Sequence, residues 1–170
     1  GGVLLNSSHD TSNFNSIDDD LNDFIQHDAL DEQGRMLSKT YLFLYNNTII
    51  GFITLSVDSV RVPYLKSGDF EIGTYYSLPC VLIGRLAVDR AYGGQDIGTY
   101  ILNWAVGLIT TVVCKCVGCR YITVDPLVTE KYSAVGFYMK SKLGFKHMED
   151  IRMSKPETRL YINLYESLNK

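Results

Sequence analysis

The sequence predicts a protein of the α/β class, in which helices flank a mixed sheet. Two segments rich in β-branched and aromatic residues are joined by Asn46-Asn47, a pattern typical of a β-hairpin. Two apolar runs, 81–83 and 86–88, then lead through a glycine-rich turn directly into a helical pattern. Strand, helix, strand, helix and further strands follow. A length of 170 residues suits one domain, so we predict a single domain over residues 1–170.

Composition and cysteine usage indicate a globular protein in a reducing compartment. The chain is 46% hydrophobic and 21% charged. No apolar run reaches the length of about 18 residues that is typical of a membrane span, and no signal peptide is visible. Three of the four cysteines crowd into residues 114–119, which does not resemble a disulfide framework. We therefore expect a cytoplasmic protein without a membrane partner.

The charge is unevenly distributed along the chain. Residues 1–60 carry nine acidic and two basic side chains, whereas residues 61–170 carry ten acidic and fourteen basic ones. This asymmetry suggests an anionic ligand for the later part of the chain. Solvated helix faces of opposite sign explain it equally well.

The first part of the chain predicts one short strand and two helices. Residues 1–5 suit a strand. Apolar residues at helical spacing predict an amphipathic helix over residues 17–30, with Ser16 as its N-cap. They are Ile17, Leu21, Phe24, Ile25 and Leu30. A second short helix, interrupted by Gly34, is expected over residues 31–38.

The hairpin and the segment after it come next. Its strands are predicted at residues 40–45 and 48–57, because asparagine tolerates the positive φ that a two-residue turn requires. Residues 58–79 contain two prolines and two glycines and predict a long excursion that could include one irregular strand. A loop of that length in a compact domain is usually functional or flexible.

The second half alternates between helical and strand patterns. Helices are predicted over residues 97–113 and 130–142, from apolar residues at helical spacing. Strands are predicted at residues 121–124, 144–148 and 158–165, the first of them ended by Asp125-Pro126.

Residues 81–100 form the centre of the prediction. A strand, a glycine-rich turn and a helix N-terminus in succession can hold phosphates, because glycines allow close approach and the first helical amides have no intrahelical partner. The turn is not a Walker A loop, since no Gly-Lys-Ser/Thr follows, and it does not match the dinucleotide fingerprint. A plain strand-to-helix turn is the alternative.

Two segments carry a family resemblance. Residues 84–102, GRLAVDRAYGGQDIGTYIL, resemble the acyl-CoA-binding motif of the GNAT superfamily of N-acyltransferases. Residues 134–138, AVGFY, and 143–145, LGF, resemble its second motif, and the strand with Ile50-Gly51-Phe52 is similar to the one that precedes the CoA-binding strand. The resemblance covers residues 16–165. It implies the GNAT fold, a mixed, mostly antiparallel twisted sheet of six to seven strands with helices on both faces.

The resemblance implies acetyl-CoA as cosubstrate and no metal. The backbone of Leu86, Ala87 and Val88 would pair with the pantetheine arm. The pyrophosphate would lie at the turn formed by Gly93, Gly94, Gln95, Asp96, Ile97, Gly98 and Thr99.

The turn departs from the family pattern at two positions. Gly93 stands where the family has a long polar side chain, and Asp96 stands where it has a glycine. As an N-cap, the Asp96 carboxylate would compete for the amides that the phosphates need, which would weaken CoA binding. Arg90 could supply charge to the phosphates or form a surface salt bridge.

Tyr138 resembles the family's general acid, which protonates the departing CoA thiolate. It lies seven residues before Phe145, whereas the family spacing is five. The extra residues would either lengthen the helix beyond Tyr138 or rotate Tyr138 away, and aromatic packing is the alternative role. The residues near the expected cleft that could deprotonate the amine are Glu71, Asp125 and His147.

The clustered cysteines raise the alternative of a metal site. Cys114, Cys116 and Cys119 could offer three thiolates to zinc, with Cys80 or a histidine as the fourth ligand. Free cysteines at a helix end behave as small hydrophobes, so we expect no metal.

The favoured function is transfer of an acetyl group from acetyl-CoA to a primary amine by direct attack, with a small molecule or a protein as acceptor. Residues 18–25 and 84–89 also resemble the layout of GNAT toxins of toxin–antitoxin pairs, which acetylate the α-amine of aminoacyl-tRNA. Basic residues that could contact RNA cluster late in the chain. They are Lys131, Lys140, Lys142, Lys146, Arg152, Lys155 and Arg159.

A pI of 5.6 argues against avid RNA binding, so tRNA is an alternative partner that is not favoured. A non-catalytic acyl-CoA-binding module is a further alternative, motivated by Asp96 and by the spacing of Tyr138. The resemblance leaves a homodimer open.

Overall fold

The computed structural model describes residues 1–61, 75–148 and 159–168. Within these residues seven strands form one sheet in the order β1-β2-β3-β4-β5-β7-β6. The strands are β1 (Val3–Leu4), β2 (Lys39–Tyr45), β3 (Thr48–Arg61), β4 (Ser77–Val88), β5 (Tyr121–Val124), β6 (Lys146–His147) and β7 (Leu160–Asn163). The pairs β1–β2, β2–β3, β5–β7 and β6–β7 are antiparallel. This confirms the predicted mixed α/β architecture.

Six α-helices are interspersed with the strands in the described part of the chain. They are α1 (Asp19–Asp23), α2 (Ala29–Gly34), α3 (Ile97–Leu108), α4 (Cys114–Cys116), α5 (Val135–Lys140) and α6 (Leu164–Leu168). Short π-helical segments, Phe24–Asp28 and Ile109–Val113, connect α1 to α2 and α3 to α4. A 3-10 helix spans Arg90–Tyr92.

Contacts divide the chain into two compact units, and the first comprises Gly1–Ser56 and Ile83–Ile109. Its hairpin is the predicted one. Asn46 and Asn47 adopt φ angles of 47° and 62°, as a two-residue turn requires. The core joins the helical segment to β2, β3 and β4 through Leu5, Phe14, Phe24, Ile25, Ala29, Leu42, Ile49, Phe52 and Ala87.

The start of the first helix differs from the prediction. Asp18, not Ser16, is the N-cap, because its carboxylate accepts the backbone N–H of Leu21 at 3.1 Å from an extended backbone. The Ser16 hydroxyl instead donates to the Asp18 carbonyl oxygen at 3.0 Å. Helical structure then continues from Asp19 to Gly34, so the predicted division into two helices at residue 30 is wrong.

The second unit comprises Val57–Leu82 and Thr110–Lys170. β5 pairs with β7 from Tyr121↔Asn163 to Val124↔Leu160, and every residue of both strands is buried. The buried rings of Tyr121 and Tyr161 pack edge to face with centroids 5.8 Å apart. Val60, Leu78 and Cys80 complete this core.

Several predicted boundaries in the second unit are wrong. β3 continues to Arg61 and β4 already begins at Ser77, so part of the predicted excursion is strand. Residues 62–74 and Thr158 lie outside the described residues. The last predicted strand ends at Asn163, where the chain turns into α6.

The helix predicted over residues 130–142 is shorter, because the Thr129 hydroxyl accepts the backbone N–H groups of Lys131 and Tyr132 and holds a turn there. The predicted strand 144–148 is reduced to Lys146–His147.

One described helical stretch, Ile97–Cys116, is long and apolar enough to cross a membrane by length and composition alone. This stretch was not singled out from the sequence, because polar residues interrupt it. A single stretch of this kind is a weak indication, since core helices pass the same test. Ile101, Leu102 and Ala105 on this stretch are fully buried.

Candidate functional site

Strand β4 carries the three residues predicted to pair with pantetheine. Ala87 is buried in the core, whereas Leu86 and Val88 are half-buried. β3 approaches this segment so closely that a Cβ on Gly51 would lie 2.8 Å from the Ala87 carbonyl oxygen. The Asp89 N–H donates to the Ile50 carbonyl oxygen at 3.0 Å, which fixes the end of β4 on β3.

Asp89 anchors the segment that leads from β4 into the turn, a role that sequence reasoning missed. Its carboxylate accepts the backbone N–H groups of Ala91 at 2.9 Å and Asn15 at 3.0 Å. The Arg90 N–H donates to the Asn15 carbonyl oxygen at 2.9 Å. An aspartate immediately before a short helical turn is a capping signal, but its second partner, 74 residues away, has no local signature.

The turn itself contains two residues with a left-handed backbone. Gly94 has φ 74°, and Asp96 has φ 57° and ψ 14°, both in the left-handed region. A glycine adopts this conformation without strain and aspartate tolerates it, so Asp96 reproduces the backbone of the glycine that the family has at this position.

The expectation that the Asp96 side chain caps α3 is wrong. Asp96 is the N-cap residue by position, yet its carboxylate makes no capping hydrogen bond. A left-handed backbone differs from the extended conformation in which N-cap side chains reach the following amides. The Asp96 charge still lies at the turn, but it does not occupy the amides.

The N-terminus of α3 is therefore open to an anion. The first intrahelical bond runs from the Tyr100 N–H to the Asp96 carbonyl oxygen at 3.0 Å, so the amides of Ile97, Gly98 and Thr99 have no partner within the helix. These amides and the positive end of a 12-residue helix favour phosphate. Gly93, Gly94 and Gln95 are exposed. That the turn holds the diphosphate of acetyl-CoA stays a prediction.

Arg85 on β4 is a second residue that sequence reasoning did not single out. Its guanidinium carbon lies 3.7 Å from the centroid of the Phe24 ring, and Nη1 lies 3.6 Å from Oε2 of Glu32. The sequence shows only an arginine within an apolar strand, without a partner at a local spacing.

Tyr138 lies within α5 in the second unit and is 4% exposed. Its ring packs edge to face against Phe137 and Phe145, with centroids 4.9 and 5.4 Å away. Burial, and to a smaller extent the neighbouring Tyr132, raises the pKa of Tyr138 well above the ordinary value of a phenol. The hydroxyl therefore keeps its proton at physiological pH, as a proton donor must.

The unusual spacing after Tyr138 is absorbed by a turn, not by a longer helix. α5 ends at Lys140, and Lys142 and Gly144 adopt φ angles of 60° and 82°. The Ser141 hydroxyl donates to the Tyr138 carbonyl oxygen at 2.6 Å and closes the helix end. Tyr138 thus keeps its contact with Phe145 despite the two additional residues.

Among the candidates for a general base, Asp125 already forms an ion pair. Arg159 donates to both of its carboxylate oxygens, from Nε at 2.6 Å and from Nη2 at 2.7 Å, and also to Asp58 at 3.2 Å. His147 is exposed on β6, and Glu71 lies outside the described residues.

The basic residues proposed for RNA divide into two groups. The charge of Arg159 is neutralised by Asp125 and Asp58, and Lys146 lies 3.4 Å from Glu166. The second group, Lys131, Lys140 and Lys142, is exposed and forms no ion pair with another described residue. Arg152 and Lys155 lie outside the described residues.

The cysteines are all free thiols. Burial raises the pKa of Cys80 to about 11, and burial together with nearby Cys114 raises that of Cys119 to about 12. Within the described ranges, no group of three or more His, Cys, Asp or Glu side chains is arranged to hold a metal ion.

The sequence matches the model of the acetyltransferase (GNAT) family over residues 5–145. This chain belongs to that family. It is 27% identical over 135 residues to a tRNA-acetylating toxin of Mycobacterium tuberculosis, an alignment that covers 79% of this chain and 78% of the toxin.

Solved structures share the fold. AtaT complexed with acetyl-methionyl-tRNAfMet superposes with a TM-score of 0.82 at 22% identity, covering 100% of this chain and 99% of AtaT. AtaTR bound with acetyl-CoA gives a TM-score of 0.78 at 24% identity, covering 100% and 98%. A tyrosine-to-phenylalanine mutant of KacT gives 0.77 at 21% identity, covering 99% and 97%.

The GNAT protein is thus an acetyltransferase that uses acetyl-CoA as cosubstrate. This favours the enzyme over the non-catalytic module. Three roles stay predictions: pantetheine pairing by Leu86–Val88, pyrophosphate binding by residues 93–99, and proton donation by Tyr138.

Proposed function

We propose that this GNAT protein transfers the acetyl group of acetyl-CoA to the α-amine of an aminoacyl-tRNA. The observation that carries the proposal is the alignment with the tRNA-acetylating toxin, which extends over 79% of the chain. It favours tRNA over the small-molecule or protein amine that the sequence alone favoured. The similarity to AtaT complexed with acetyl-methionyl-tRNAfMet agrees in fold.

The surface charge of the second unit is compatible with an RNA acceptor in spite of the net charge of −3. Lys131, Lys140 and Lys142 are exposed and belong to α5 or to the turns beside it, the elements that surround Tyr138. Lysines without an ion-pair partner attract the phosphates of an RNA that lies against them. The acidic side chains elsewhere in the chain weaken the attraction of the whole protein for RNA at long range.

The chemistry of the acceptor also favours an α-amine. An attacking amine must be neutral, and an α-amino group has a pKa of about 7.7–8.0, compared with about 10.4 for a lysine side chain. A sizeable fraction of an α-amine is therefore neutral at pH 7 without a strong base. Both carboxylate oxygens of Asp125 already accept hydrogen bonds from Arg159. An acceptor amine that needs no strong base therefore suits this protein.

In this proposal one set of groups binds acetyl-CoA, and Tyr138 takes part in the transfer. The amides at the start of α3 and the β4 backbone hold acetyl-CoA, and the neutral Tyr138 phenol gives its proton to the departing thiolate. The amine attacks the thioester carbonyl carbon directly, so that an amide bond forms while the carbon–sulfur bond breaks. The proton that the amine nitrogen loses passes to solvent, and the Tyr138 phenolate regains a proton from solvent. We also propose a cytoplasmic location, where all four thiols would stay reduced.

The proposal is tested by an acceptor panel with acetyl-CoA as donor. Release of the CoA thiol would be followed with charged initiator and elongator tRNAs, deacylated tRNA, free amino acids, polyamines and lysine-containing peptides. We expect turnover with aminoacyl-tRNA at least 100-fold more efficient than with any free amine. Efficient turnover of a free amine or a peptide, without turnover of charged tRNA, would overturn the proposal.

A further inference from the structure

Arg85 holds its guanidinium in an unusual setting within β4. Its central carbon Cζ lies 3.7 Å from the centroid of the Phe24 ring, and Phe24 is 3% exposed. The side chain of Arg85 is 37% exposed, so it packs on the aromatic ring and is still open to solvent. An arginine held in this way is pre-organised for an oxyanion that accepts two parallel N–H groups.

The intramolecular partner of Arg85 is weak. The distance of 3.6 Å to Glu32 is too long for a hydrogen bond, and the Glu32 carboxylate also accepts the Ser38 hydroxyl at 3.0 Å. By contrast, Arg159 binds Asp125 at 2.6 and 2.7 Å. Within the described part of the chain, the Arg85 guanidinium donates no hydrogen bond, so its five donors are available to a ligand.

The position of Arg85 indicates which ligand this would be. It immediately precedes Leu86, the first of the three residues predicted to pair with pantetheine. The phosphates of acetyl-CoA are assigned to the turn at Gly93–Thr99, several residues further along the chain. A free guanidinium on the strand, next to the helical segment that carries Phe24 and Glu32, is therefore suited to the acceptor.

We infer that Arg85 binds a phosphodiester group of the acceptor RNA near its aminoacylated end. The inference rests on the proposed function, since it assigns one contact of the proposed tRNA. A phosphodiester takes two parallel N–H donors from a guanidinium, an arrangement that a lysine cannot reproduce. The Glu32 carboxylate competes with the phosphate for Arg85 and repels it.

Two other roles for Arg85 predict different behaviour. If Arg85 only ties β4 to the helical segment, loss of either Arg85 or Glu32 impairs the enzyme, and every acceptor suffers equally. If Arg85 binds a phosphate of acetyl-CoA, its loss raises the KM for acetyl-CoA. An acceptor contact affects only acceptors that carry phosphate.

The test compares Arg85→Gln, Arg85→Lys and Glu32→Gln with the wild type, using aminoacyl-tRNA and 3′-O-aminoacyl-adenosine, which lacks phosphate. We expect Arg85→Gln to raise the KM for aminoacyl-tRNA roughly ten-fold, Arg85→Lys to restore it only in part, and Glu32→Gln to lower it about two-fold. With aminoacyl-adenosine all variants should equal the wild type, and the KM for acetyl-CoA should not change.

Arg35→Gln is the matched control, because Arg35 is exposed and pairs with Asp31 on α2 at 2.9 Å. It should leave every parameter within two-fold of the wild type. Equal losses with both acceptors, a loss in Glu32→Gln, or a raised KM for acetyl-CoA would each overturn the inference. A wild type that is inactive on aminoacyl-tRNA would instead overturn the proposed function, and the Arg85 contact with it.

Discussion

The guanidinium of Arg159 binds both carboxylate oxygens of Asp125, at 2.6 and 2.7 Å, and a third bond reaches Asp58 at 3.2 Å. The two acids keep the pKa of Arg159 above its ordinary value. Asp125 and Arg159 each had a separate predicted role, one as a base and the other as an RNA contact. Their mutual neutralisation gives them a structural role between β3, β5 and β7.

Replacing Asp125 with Asn should therefore affect stability more than catalysis. We expect the free energy of unfolding to fall by about 1–2 kcal/mol, the low end for a bidentate pair, because half of the Asp125 side chain is exposed and solvent screens it. At 25 °C kcat should stay within three-fold. Denaturant unfolding and a pH–rate profile check both expectations.

Asp58→Asn is the matched control for Asp125, since Asp58 makes only one bond to Arg159. Its effect on stability should be smaller. An Asp125→Asn variant that folds normally but loses the acidic limb of its pH–rate profile would show that Asp125 is the base after all.

Replacing Tyr138 with Phe should abolish most turnover without loss of cofactor affinity. The hydroxyl donates no hydrogen bond to another described residue, so its removal leaves the packing against Phe137 and Phe145 intact. We expect kcat to fall roughly 10²–10⁴-fold, as for a lost general acid, with the Kd for acetyl-CoA within two-fold. Single-turnover kinetics and calorimetric titration measure the two quantities.

Tyr132→Phe is a suitable comparison, because Tyr132 neighbours Tyr138 but is exposed. It should retain near wild-type kcat. The pKa of Tyr138 lies above about 10, the ordinary value of a phenol. Deprotonation of Tyr138 should therefore cause no loss of activity below about pH 10. Equal kcat in wild type and Tyr138→Phe would remove Tyr138 from the mechanism.

Asp96→Gly should bind acetyl-CoA more tightly than the wild type. Glycine relieves the left-handed backbone of Asp96, which we expect to stabilise the fold by roughly 0.5–1 kcal/mol. Removal of a negative charge beside the diphosphate should also lower the Kd about three- to ten-fold at low salt. Calorimetric titration at two salt concentrations measures this.

Asp96→Asn separates the charge from the backbone effect, because asparagine removes the charge and keeps a side chain that tolerates positive φ. It should reproduce the gain in affinity but little of the gain in stability. An unchanged Kd in both variants would argue against a diphosphate at this turn.

The parts of the fold that the sequence predicts well are those encoded by neighbouring residues. Asn46-Asn47 specifies the hairpin turn, and Tyr121–Val124 combines β-branched and aromatic residues, as suits the buried strand β5. The extra residues after Tyr138 could not be assigned to a helix or a turn, since Lys142 adopts its positive φ without the glycine that usually signals it.

Contacts between distant residues account for most of what the sequence did not reveal. Asp125 and Arg159 are 34 residues apart, and Arg85 and Glu32 are 53 apart, so no local pattern connects them. Each residue alone resembles an ordinary surface charge. The availability of Arg85 and the neutralisation of Arg159 become visible only when the strands are placed side by side.

Stability should fall as the pH rises from about 9 to about 11, and Cys80 should account for part of the fall. Burial raises its pKa from 9.0 to about 11, so the folded state keeps a proton that the unfolded state releases first. The contribution is complete below pH 9 and is lost as the pH passes the folded value. Thermal melts at several pH values should show that the melting temperature of Cys80→Ala declines less steeply with pH than that of the wild type. The variant should be less stable than the wild type at every pH.

Gly51 sets the distance between β3 and β4 at the predicted pantetheine segment, and Gly51→Ala should disturb both stability and cofactor binding. An added Cβ would lie 2.6 Å from Cδ1 of Ile101 and 2.8 Å from the Ala87 carbonyl oxygen. Ile101 can rotate only within a filled core, and the backbone oxygen cannot move without β4. We expect a loss of about 2–3 kcal/mol in the free energy of unfolding and a weaker Kd for acetyl-CoA.

Gly107→Ala provides the control for the same chemical change. A Cβ at Gly107, on α3, meets no atom within 4 Å, so this variant should gain about 0.5–1 kcal/mol from helix propensity. Its Kd for acetyl-CoA should equal that of the wild type. If Gly51→Ala loses stability while its Kd, measured well below its melting temperature, stays unchanged, then the carbonyl oxygen of Ala87 does not hold the cofactor. The pantetheine contact would have to lie elsewhere on β4.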